Sequence, residues 1–292
     1  MSNFENIFEA AAGTIEDIKY FLEEKNGSIN DKDENGWIPL HHAAKQNSNV
    51  NVLEYLVSQG SDVNAKSNSG RTPLHAAAQQ NINVDIFKYL VSKGANINAK
   101  NNDGGTPFHD AAAWNSNPEV LKYLISQGAD VNVKDYSGKI SLHLAVNNKN
   151  AEIAEFLISK GADVNAKDQN EMTPLHFVAN NEFIGVAKLL VSNGAIVNAK
   201  DDIGFTPLNS ALSKGNIKFA EYLITVKADV NSKDNNGHTL LFAAIGERKI
   251  EFVKLFFSAG ASFDIDGRDK LLSIAKHLGD EEIFDFLSTA RR

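Results

Sequence analysis

The stretch Gly-Arg-Thr-Pro-Leu-His at residues 70–75 decides the fold, because near-copies of it recur along the whole chain. The six related stretches begin at residues 36, 104, 138, 171, 204 and 237. From start to start, the seven copies are 34, 34, 34, 33, 33 and 33 residues apart. A period of this length indicates stacked repeats, in which each unit buries its apolar face against its neighbours.

Each repeat encodes two helices and a loop, as the second copy illustrates. Thr72 and Pro73 fit a helix start. A threonine hydroxyl can accept a hydrogen bond from a free backbone N–H of the first turn, and the N–H that proline lacks is not needed at the first helical position. A second apolar pattern with helical spacing occupies residues 84–91, and Gly94 can adopt the left-handed conformation that ends a helix. The strand-like residues 97–100 and the polar turn after them predict a projecting hairpin.

Two motifs carry a resemblance to a known family. Thr-Pro-Leu-His-Ala-Ala at residues 72–77 and Gly-Ala-Asp-Val-Asn-Ala-Lys at residues 161–167 resemble the ankyrin repeat. The resemblance covers almost the whole chain and implies an all-α repeat fold, an ankyrin solenoid of stacked helix-turn-helix units with projecting β-hairpin loops. It also implies a concave face, formed by hairpins and first helices, that binds a protein partner, and it implies neither catalysis nor a cofactor.

The repeat period predicts one solenoid over residues 1–292, in place of the two domains that this length would otherwise suggest. Residues 1–35 have no preceding hairpin and predict an N-terminal capping repeat, and residues 269–292 predict a C-terminal capping repeat. The seven internal repeats are expected at residues 36–69, 70–103, 104–137, 138–170, 171–203, 204–236 and 237–268.

Composition narrows the classes of function. The formal net charge of −8 argues against a nucleic-acid partner, since such proteins concentrate basic residues. No apolar run approaches the roughly 18 residues that span a bilayer, the first residues do not resemble a secretion signal, and there is no cysteine for disulfides or thiolate chemistry. We therefore expect a cytoplasmic monomer that binds neither nucleic acid nor membrane.

Histidine is the residue type that most suggests an enzyme, yet its pattern points elsewhere. Five of the eight histidines share one motif column: His41, His75, His109, His143 and His176. Such regularity favours a structural role, in which the ring ties hairpin to helix by hydrogen bonds. His42 is expected to be a surface residue, because adjacent helical residues point to different sides. We expect no catalytic, cofactor-binding or metal site, and no enzyme activity.

Two other columns are uniform in character. An apolar column in the second helices predicts core side chains: Tyr55, Tyr89, Tyr123, Phe156, Leu189, Tyr222 and Leu255. A lysine column follows the loops: Lys32, Lys66, Lys100, Lys134, Lys167, Lys200 and Lys233. This column is either a ladder for an acidic partner or a set of ordinary solvated lysines, and the aspartates that follow most of them favour the second interpretation.

Columns that vary between repeats contain the candidate binding residues. Where most repeats have a polar residue, a few have an aromatic or aliphatic one, and exposed apolar residues are typical of protein interfaces. The candidates, including the polar Lys139, are Trp37, Trp114, Tyr136, Lys139, Leu144, Met172, Phe177, Ile203 and Phe205. Lys139, Lys214, Asp110 and Asp202 are expected to form a polar rim. Alternatively, some of these apolar side chains merely cover neighbouring loops.

A non-enzymatic scaffold or inhibitor is the leading functional interpretation. Three alternatives stay open: an effector of an intracellular microbe that targets a host protein, a regulatory or inhibitory subunit, and a structural spacer that self-associates. A small-molecule enzyme or sensor is disfavoured, because the variable columns are mostly apolar or neutral. Lys227 replaces a repeated glycine, at a cost on the order of 1 kcal/mol, so the seventh internal repeat and the C-terminal cap are expected to be the softest part.

Overall fold

Pairs of short helices make up the structure, a computed structural model that describes residues 4–25, 27–147, 151–180, 184–263 and 267–290. The chain divides into two compact units, unit 1 (Met1–Asp163) and unit 2 (Val164–Arg292). In both units the odd-numbered helix is the first of its pair and the even-numbered helix is the second. The repeat boundaries given above stay a prediction.

Unit 1 contains five helix pairs within its described residues. They are α1 (Ile7–Ala10), α2 (Ile15–Glu24), α3 (Pro39–Gln46), α4 (Val50–Ser58), α5 (Pro73–Gln80), α6 (Val84–Ser92), α7 (Pro107–Trp114), α8 (Pro118–Ser126), α9 (Ser141–Ala145) and α10 (Ala151–Ser159). The first helices form one row, in which α3 packs on α5, α5 on α7 and α7 on α9. The second helices α4, α6, α8 and α10 form a parallel row of contacts.

Unit 2 repeats this arrangement in the part that the structure describes. Its helices are α11 (Pro174–Phe177), α12 (Ile184–Ser192), α13 (Pro207–Lys214), α14 (Ile217–Thr225), α15 (Leu240–Gly246), α16 (Ile250–Ser258), α17 (Arg268–His277) and α18 (Glu281–Thr289), with a 3₁₀ turn (Val178–Asn180) after α11. First helices pack on first helices and second on second, from α11 and α12 to α17 and α18. The expected all-α repeat fold is confirmed in each unit.

The core follows from two sequence positions. The residue after the motif proline points inward in each first helix, and Leu40, Leu74 and Phe108 are completely buried. The second helices α2 to α16 bury positions equivalent to Leu53 and Leu56. Burial of one such side chain stabilises the fold by about 1.5–3 kcal/mol. Because no single helix pair can bury its own apolar face, this stabilisation requires the next helix pair.

The apolar column of the second helices is only partly core, so that prediction was wrong for most of its members. Phe156 is buried, at 9% exposure, whereas the three tyrosines Tyr55, Tyr89 and Tyr123 are half-buried, as are Leu189, Tyr222 and Leu255. In α4 the buried stripe consists of Val52, Leu53 and Leu56, and Tyr55 lies at its flank. Partial burial raises the pKa of the Tyr89 and Tyr123 hydroxyls.

The projecting loops are tight turns, which are consistent with the expected β-hairpins but do not confirm them. In the first, the Asp33 N–H donates to the Trp37 carbonyl at 2.9 Å and the Gly36 N–H donates back to the Asp33 carbonyl at 2.9 Å. The described residues contain no strand, and residues 97–100 are not one. One isolated antiparallel bridge joins Lys233 and Thr239. The loops therefore project as turns, each closed by its own backbone bonds.

Lys227 occupies the left-handed conformation, as expected from its alignment with the repeated glycine. Its φ is +69°, close to the +88° of Gly94 at the equivalent position. A side chain at this φ is strained even where space is open, as it is around Gly94. The lower stability expected for the C-terminal repeats stays a prediction.

Candidate functional site

The motif histidines fasten each first helix to the following loop. The Thr72 N–H donates to His75 Nδ1 at 3.1 Å, and Thr72 Oγ1 lies 2.9 Å from the same nitrogen. Nδ1 is therefore an acceptor and the ring proton is on Nε2, which donates to the Gly105 carbonyl at 3.1 Å. Thr72 begins the helix as expected, but its hydroxyl bonds the histidine ring and not a free backbone N–H.

The same bridge recurs in both units, which confirms the structural role of this column. His41 Nε2 lies 3.0 Å from the Arg71 carbonyl, and the equivalent distances are 3.2 Å for His109 and 3.1 Å for His176. Burial lowers the pKa of His41 and His75 to about 4, against the raising effect of the carbonyl bonds. These rings are neutral near pH 7 and hold the loops in place.

The carbonyls that receive these bonds belong to the variable column after the repeated glycine. Arg71, Lys139 and Phe205 each accept a histidine proton through the main chain. Their backbone positions are thus fixed while their side chains differ. A fixed backbone with a variable side chain is what a binding surface requires, since little ordering entropy is lost on association.

Asparagines form two further ladders that sequence reasoning missed. The Asn81 amide, buried at the end of α5, donates to the carbonyls of Ala44 and Asn47 at 2.9 and 2.8 Å. Asn115 donates the equivalent pair of bonds one repeat later, to the Ala78 carbonyl at 3.1 Å and to the Asn81 carbonyl at 2.9 Å. The signal was present in the sequence, because asparagine recurs at these positions with the repeat period.

The second asparagine ladder lies in the loops. Asn64 Nδ2 donates to the Gly94 carbonyl at 2.9 Å, and its Oδ1 accepts the Asn96 N–H at 2.8 Å. Asn132 and Asn165 make the same pair of bonds within their own units. Each asparagine thereby joins two main-chain atoms of the following repeat.

Three of the nine candidate binding residues are exposed. Trp114 is 70% exposed, Tyr136 60% and Ile203 52%. The other six are half-buried: Trp37, Lys139, Leu144, Met172, Phe177 and Phe205. Five candidates belong to unit 1 (Trp37, Trp114, Tyr136, Lys139 and Leu144) and the remaining four to unit 2.

Trp114 is the final residue of α7, on a rigid support. Ala111 and Ala112 bury the inner face of the helix, and the neighbouring Asn115 anchors the helix end to the preceding repeat. Polar residues occupy the same position elsewhere, including the exposed Gln46 and Gln80, whereas Asn148 and Asn181 lie outside the described residues. The indole is thus presented to solvent by a well-anchored helix end.

Tyr136 lies at a loop tip and partly covers its neighbour. Its N–H donates to the Asp103 carbonyl at 2.9 Å, and the Lys100 ammonium lies 5.3 Å from its ring centroid. A Cβ added at Gly104 would lie 2.5 Å from the Tyr136 ring. The side chain therefore rests on Gly104 while most of its surface stays exposed.

Trp37 belongs to a cluster of rings and charges in unit 1. Its ring centroid lies 5.1 Å from that of His42, and the Lys45 ammonium lies 5.3 Å from the indole centroid. His42 Nε2 is 3.0 Å from Asp33 Oδ2, so the expectation that His42 is an ordinary surface residue was wrong. It is half-buried because this carboxylate and the rings of Trp37 and Phe8 surround it.

A cleft of about 400 Å³ lies beside this cluster. Its lining residues are Lys45, Arg71, Gln79, Gln80 and Trp114, and we call it the Lys45–Arg71 groove. A neighbouring cleft of about 460 Å³ shares Lys45, Arg71 and Gln79 and extends to Trp37 and His42. The two tryptophans of the chain therefore border adjoining clefts on one face of unit 1.

Asp110 was expected in the polar rim, and the structure corrects this. The residue is buried, at 7% exposure, because Arg71 from the preceding repeat lies over it with Nε 3.3 Å from Oδ2. Burial raises the pKa of Asp110, and the Arg71 charge and hydrogen bond oppose that rise. Of the other rim residues, Lys214 and Asp202 are exposed and Lys139 is half-buried.

Unit 2 has its own exposed apolar residues near the loop that contains Ile203 and Phe205. The Phe205 N–H donates to Asp201 Oδ1 at 2.7 Å, which fixes the loop. Ile196, at 57% exposure, lies in a column that is otherwise mostly acidic or polar, and it was missed although it is the same kind of apolar outlier as the candidates. Ile82 in unit 1, at 60%, was also missed.

Lysines of the lysine column form hydrogen bonds between successive repeats. Lys66 Nζ donates to the Lys100 carbonyl at 3.4 Å, and Lys100 Nζ donates to the Lys134 carbonyl at 3.3 Å. In unit 2, Lys200 Nζ reaches the Lys233 carbonyl at 2.7 Å. These lysines are exposed, as the solvated interpretation expects, and each also bonds the next member of its own column.

Within the described part of the chain, no group of three or more histidine or acidic side chains is arranged to hold a metal ion. None of the helices there has the length and apolar character needed to cross a membrane.

Comparison with known proteins identifies the repeats. A family model described as ankyrin repeats (3 copies) matches four overlapping segments, residues 7–101, 65–135, 84–168 and 142–234. Together the segments cover residues 7–234, well over half of the 292 residues. A comparison with curated proteins gave no significant match.

Proposed function

The chain belongs to the ankyrin repeat family, and from this premise we propose that it is a non-enzymatic module that binds a partner protein on its first helices and loop tips. Proteins of this family are generally protein–protein interaction modules. The proposal assigns binding to the variable columns, because the constant columns are occupied with holding the repeats together.

The observation that carries the proposal is the exposure of Trp114. An indole that is 70% exposed at the end of a well-anchored helix leaves most of its apolar surface unused by the fold. Tryptophan, tyrosine and other large apolar residues are enriched at the energetic centres of protein interfaces. Tyr136 in unit 1, and Ile203 and Phe205 in unit 2, are the further proposed contacts.

The test compares partner binding by the full chain with that of two variants. Affinity purification with the wild type, followed by mass spectrometry, identifies partners, and binding is then measured with Trp114→Ala and Phe205→Ala. We expect each variant to weaken binding at least tenfold, because truncating such a contact costs more than about 1.4 kcal/mol. The melting temperature should stay within a few degrees.

Ile196→Ser is the matched control, since it removes a similarly exposed apolar side chain outside the proposed contacts. It should leave partner binding unchanged. Full binding by both alanine variants would contradict the proposal. An equal loss from Ile196→Ser would also contradict it, because the binding would then reflect general hydrophobic adhesion.

A further inference from the structure

We propose that the Lys45–Arg71 groove of unit 1 binds an acidic segment of the partner. The occupant is an extended peptide whose aspartate or glutamate lies between the two cations, with an adjacent apolar side chain against Trp114. This inference rests on the proposed protein-binding function and narrows it to one class of ligand and one site.

The residues that line this groove carry positive charge, in contrast to the acidic chain as a whole. The chain has 37 acidic and 29 basic residues, a formal net charge of −8. The five residues that line the groove comprise two cations, two amides and one indole, and none is acidic. A peptide carboxylate is therefore attracted here, whereas the acidic surplus of the whole chain repels it.

Both cations retain hydrogen-bonding capacity. Lys45 Nζ lies over the Trp37 ring at 5.3 Å, and within the described residues no carboxylate is within 4.0 Å of it. Arg71 bonds Asp110 through Nε alone. A guanidinium has five N–H donors, so the terminal Nη groups of Arg71 are available to a ligand. Charge-assisted bonds of this kind are about twice as strong as neutral ones.

Arg71 is held in position before any ligand arrives. Its partner Asp110 is buried, and Gln79 also bonds that carboxylate. The main chain of Arg71 is fixed independently by His41. A cation that is already ordered loses little rotamer entropy on binding, which favours affinity.

Apart from Asp110, which pairs with Arg71, a second acid near the groove also has its charge occupied. Asp33 lines the adjoining cleft, and its Oδ1 accepts the N–H groups of Asn35 and Trp37, each at 2.8 Å, while its Oδ2 pairs with His42. Burial alone would raise the pKa of Asp33, but these bonds outweigh it and lower the pKa below its ordinary value. The carboxylate is therefore satisfied within unit 1 and does not pair with Lys45.

The remaining lining suits a peptide and not an isolated anion. Gln79 and Gln80 supply amide donors and acceptors that match a peptide backbone. Trp114 offers an indole, 70% exposed, for an apolar side chain next to the acidic one. The residues that line the groove thus predict an acidic residue beside a large apolar residue.

The experiment selects 12-residue peptides displayed on phage against the full chain. We expect the enriched sequences to share an aspartate or glutamate adjacent to a leucine, phenylalanine or tryptophan. The most enriched peptide is then synthesised, and its affinity is measured for the wild type and for Lys45→Glu. We expect Lys45→Glu to weaken binding at least tenfold, and replacement of the acidic peptide residue by its amide to do the same.

Lys93→Glu is the matched control variant, because Lys93 also lies over an aromatic ring, 5.6 Å from the Tyr89 centroid, but outside the groove. It should change the affinity less than twofold, and circular dichroism should show all variants folded. Enriched peptides without an acidic residue, no enrichment, or an unchanged affinity for Lys45→Glu would each overturn the inference. Equal competition by polyuridine RNA would overturn it too. If partner protein still binds through Trp114 or Phe205, the proposed function survives that failure.

Discussion

In unit 1, His41, His75 and His109 each reach from a first helix to a carbonyl of the next repeat. In unit 2, His176 makes the same bridge, but Asn209 and Phe242 occupy the next two positions. Asn209 Oδ1 still accepts the Thr206 N–H at 2.9 Å. The Phe242 ring has no nitrogen that could accept the threonine N–H. Thr239 instead caps its helix with its hydroxyl, which accepts the Phe242 N–H at 3.2 Å.

Unit 2, where two of the motif histidines are replaced, also has more backbone strain than unit 1. The described residues include three non-glycine positions with positive φ: Glu171, Lys227 and Arg248. All three belong to unit 2. One repeat pattern can therefore be fastened with different numbers of polar bonds, and the unit in which histidine is replaced at two positions is also the one with strained non-glycine residues.

The largest expected effect comes from removing one histidine bridge in unit 1. His75→Ala leaves the buried Thr72 N–H and the Gly105 carbonyl without this partner. We expect unit 1 to lose about 3–5 kcal/mol of unfolding free energy, since the buried Thr72 N–H and hydroxyl each lose their acceptor at about 1–3 kcal/mol and a cavity adds to this. The Gly105 carbonyl still accepts the Asn101 N–H at 2.9 Å and adds little to the loss. Urea denaturation followed by tryptophan fluorescence measures the loss, because both tryptophans lie in unit 1.

His75→Asn is the control that unit 2 suggests. Asn209 shows that an amide oxygen can accept the threonine N–H, so this variant should lose only about half as much as His75→Ala. If the two variants are equally destabilised, the bond to the Gly105 carbonyl is the one that matters, and the comparison between the units has to be restated.

The second largest expected effect is a loss of unfolding free energy in unit 1 at acidic pH. The pKa of His41 and His75 is about 4 in the folded chain and 6.5 ordinarily, so the unfolded chain takes up their protons first as the pH falls. Their stabilisation is complete above pH 6.5 and is lost between pH 6.5 and pH 4. From pH 7 to pH 5 we expect a loss of about 2 kcal/mol for each histidine.

The same fluorescence measurement at several pH values tests this expectation. His75→Asn removes one titrating ring and should make the pH dependence of unit 1 correspondingly shallower. A slope that is identical in wild type and variant would show that His75 titrates normally in the folded chain, against the burial that the structure gives it.

The smallest effect is the relief of strain at Lys227. Lys227→Gly should stabilise unit 2 by about 1 kcal/mol, because glycine adopts positive φ without steric cost. Native-state hydrogen exchange of α15 to α18 should slow accordingly. Gly94→Lys in unit 1 is the reciprocal change, and open space around Gly94 makes it a purely conformational one.

Two outcomes would contradict this expectation. Faster exchange in Lys227→Gly would mean that the lysine side chain stabilises unit 2 by more than its backbone strain costs. In the wild type, slowest exchange in the C-terminal third would refute the prediction that these repeats are the softest.

Much of the fold was readable from the sequence, because the repeat period and the threonine-proline starts place the helices almost residue by residue. The exposure of Trp114, Tyr136 and Ile203 also followed from comparing columns. Burial of Asp110 did not, since it depends on Arg71, which lies 39 residues away and becomes a neighbour only in the stack.

Other misses have local causes. The tyrosines of the second helices are apolar enough for a core, yet they lie at the flank of the buried stripe and become half-buried. The asparagine ladders were overlooked because asparagine is common in turns, and its bonds to the next repeat require coordinates. The Lys45–Arg71 groove has no motif, since three repeats contribute its residues.

The loop asparagines have a consequence for how such a chain changes over generations. Asn64 contacts only main-chain atoms of its successor, the Gly94 carbonyl and the Asn96 N–H. Every residue type carries a carbonyl, and all but proline carry an N–H, so these two bonds do not depend on which side chains come next. A segment of one period that is duplicated or deleted in frame therefore keeps this pair of bonds to its new neighbour, and only the apolar contacts between the helix pairs have to be matched again.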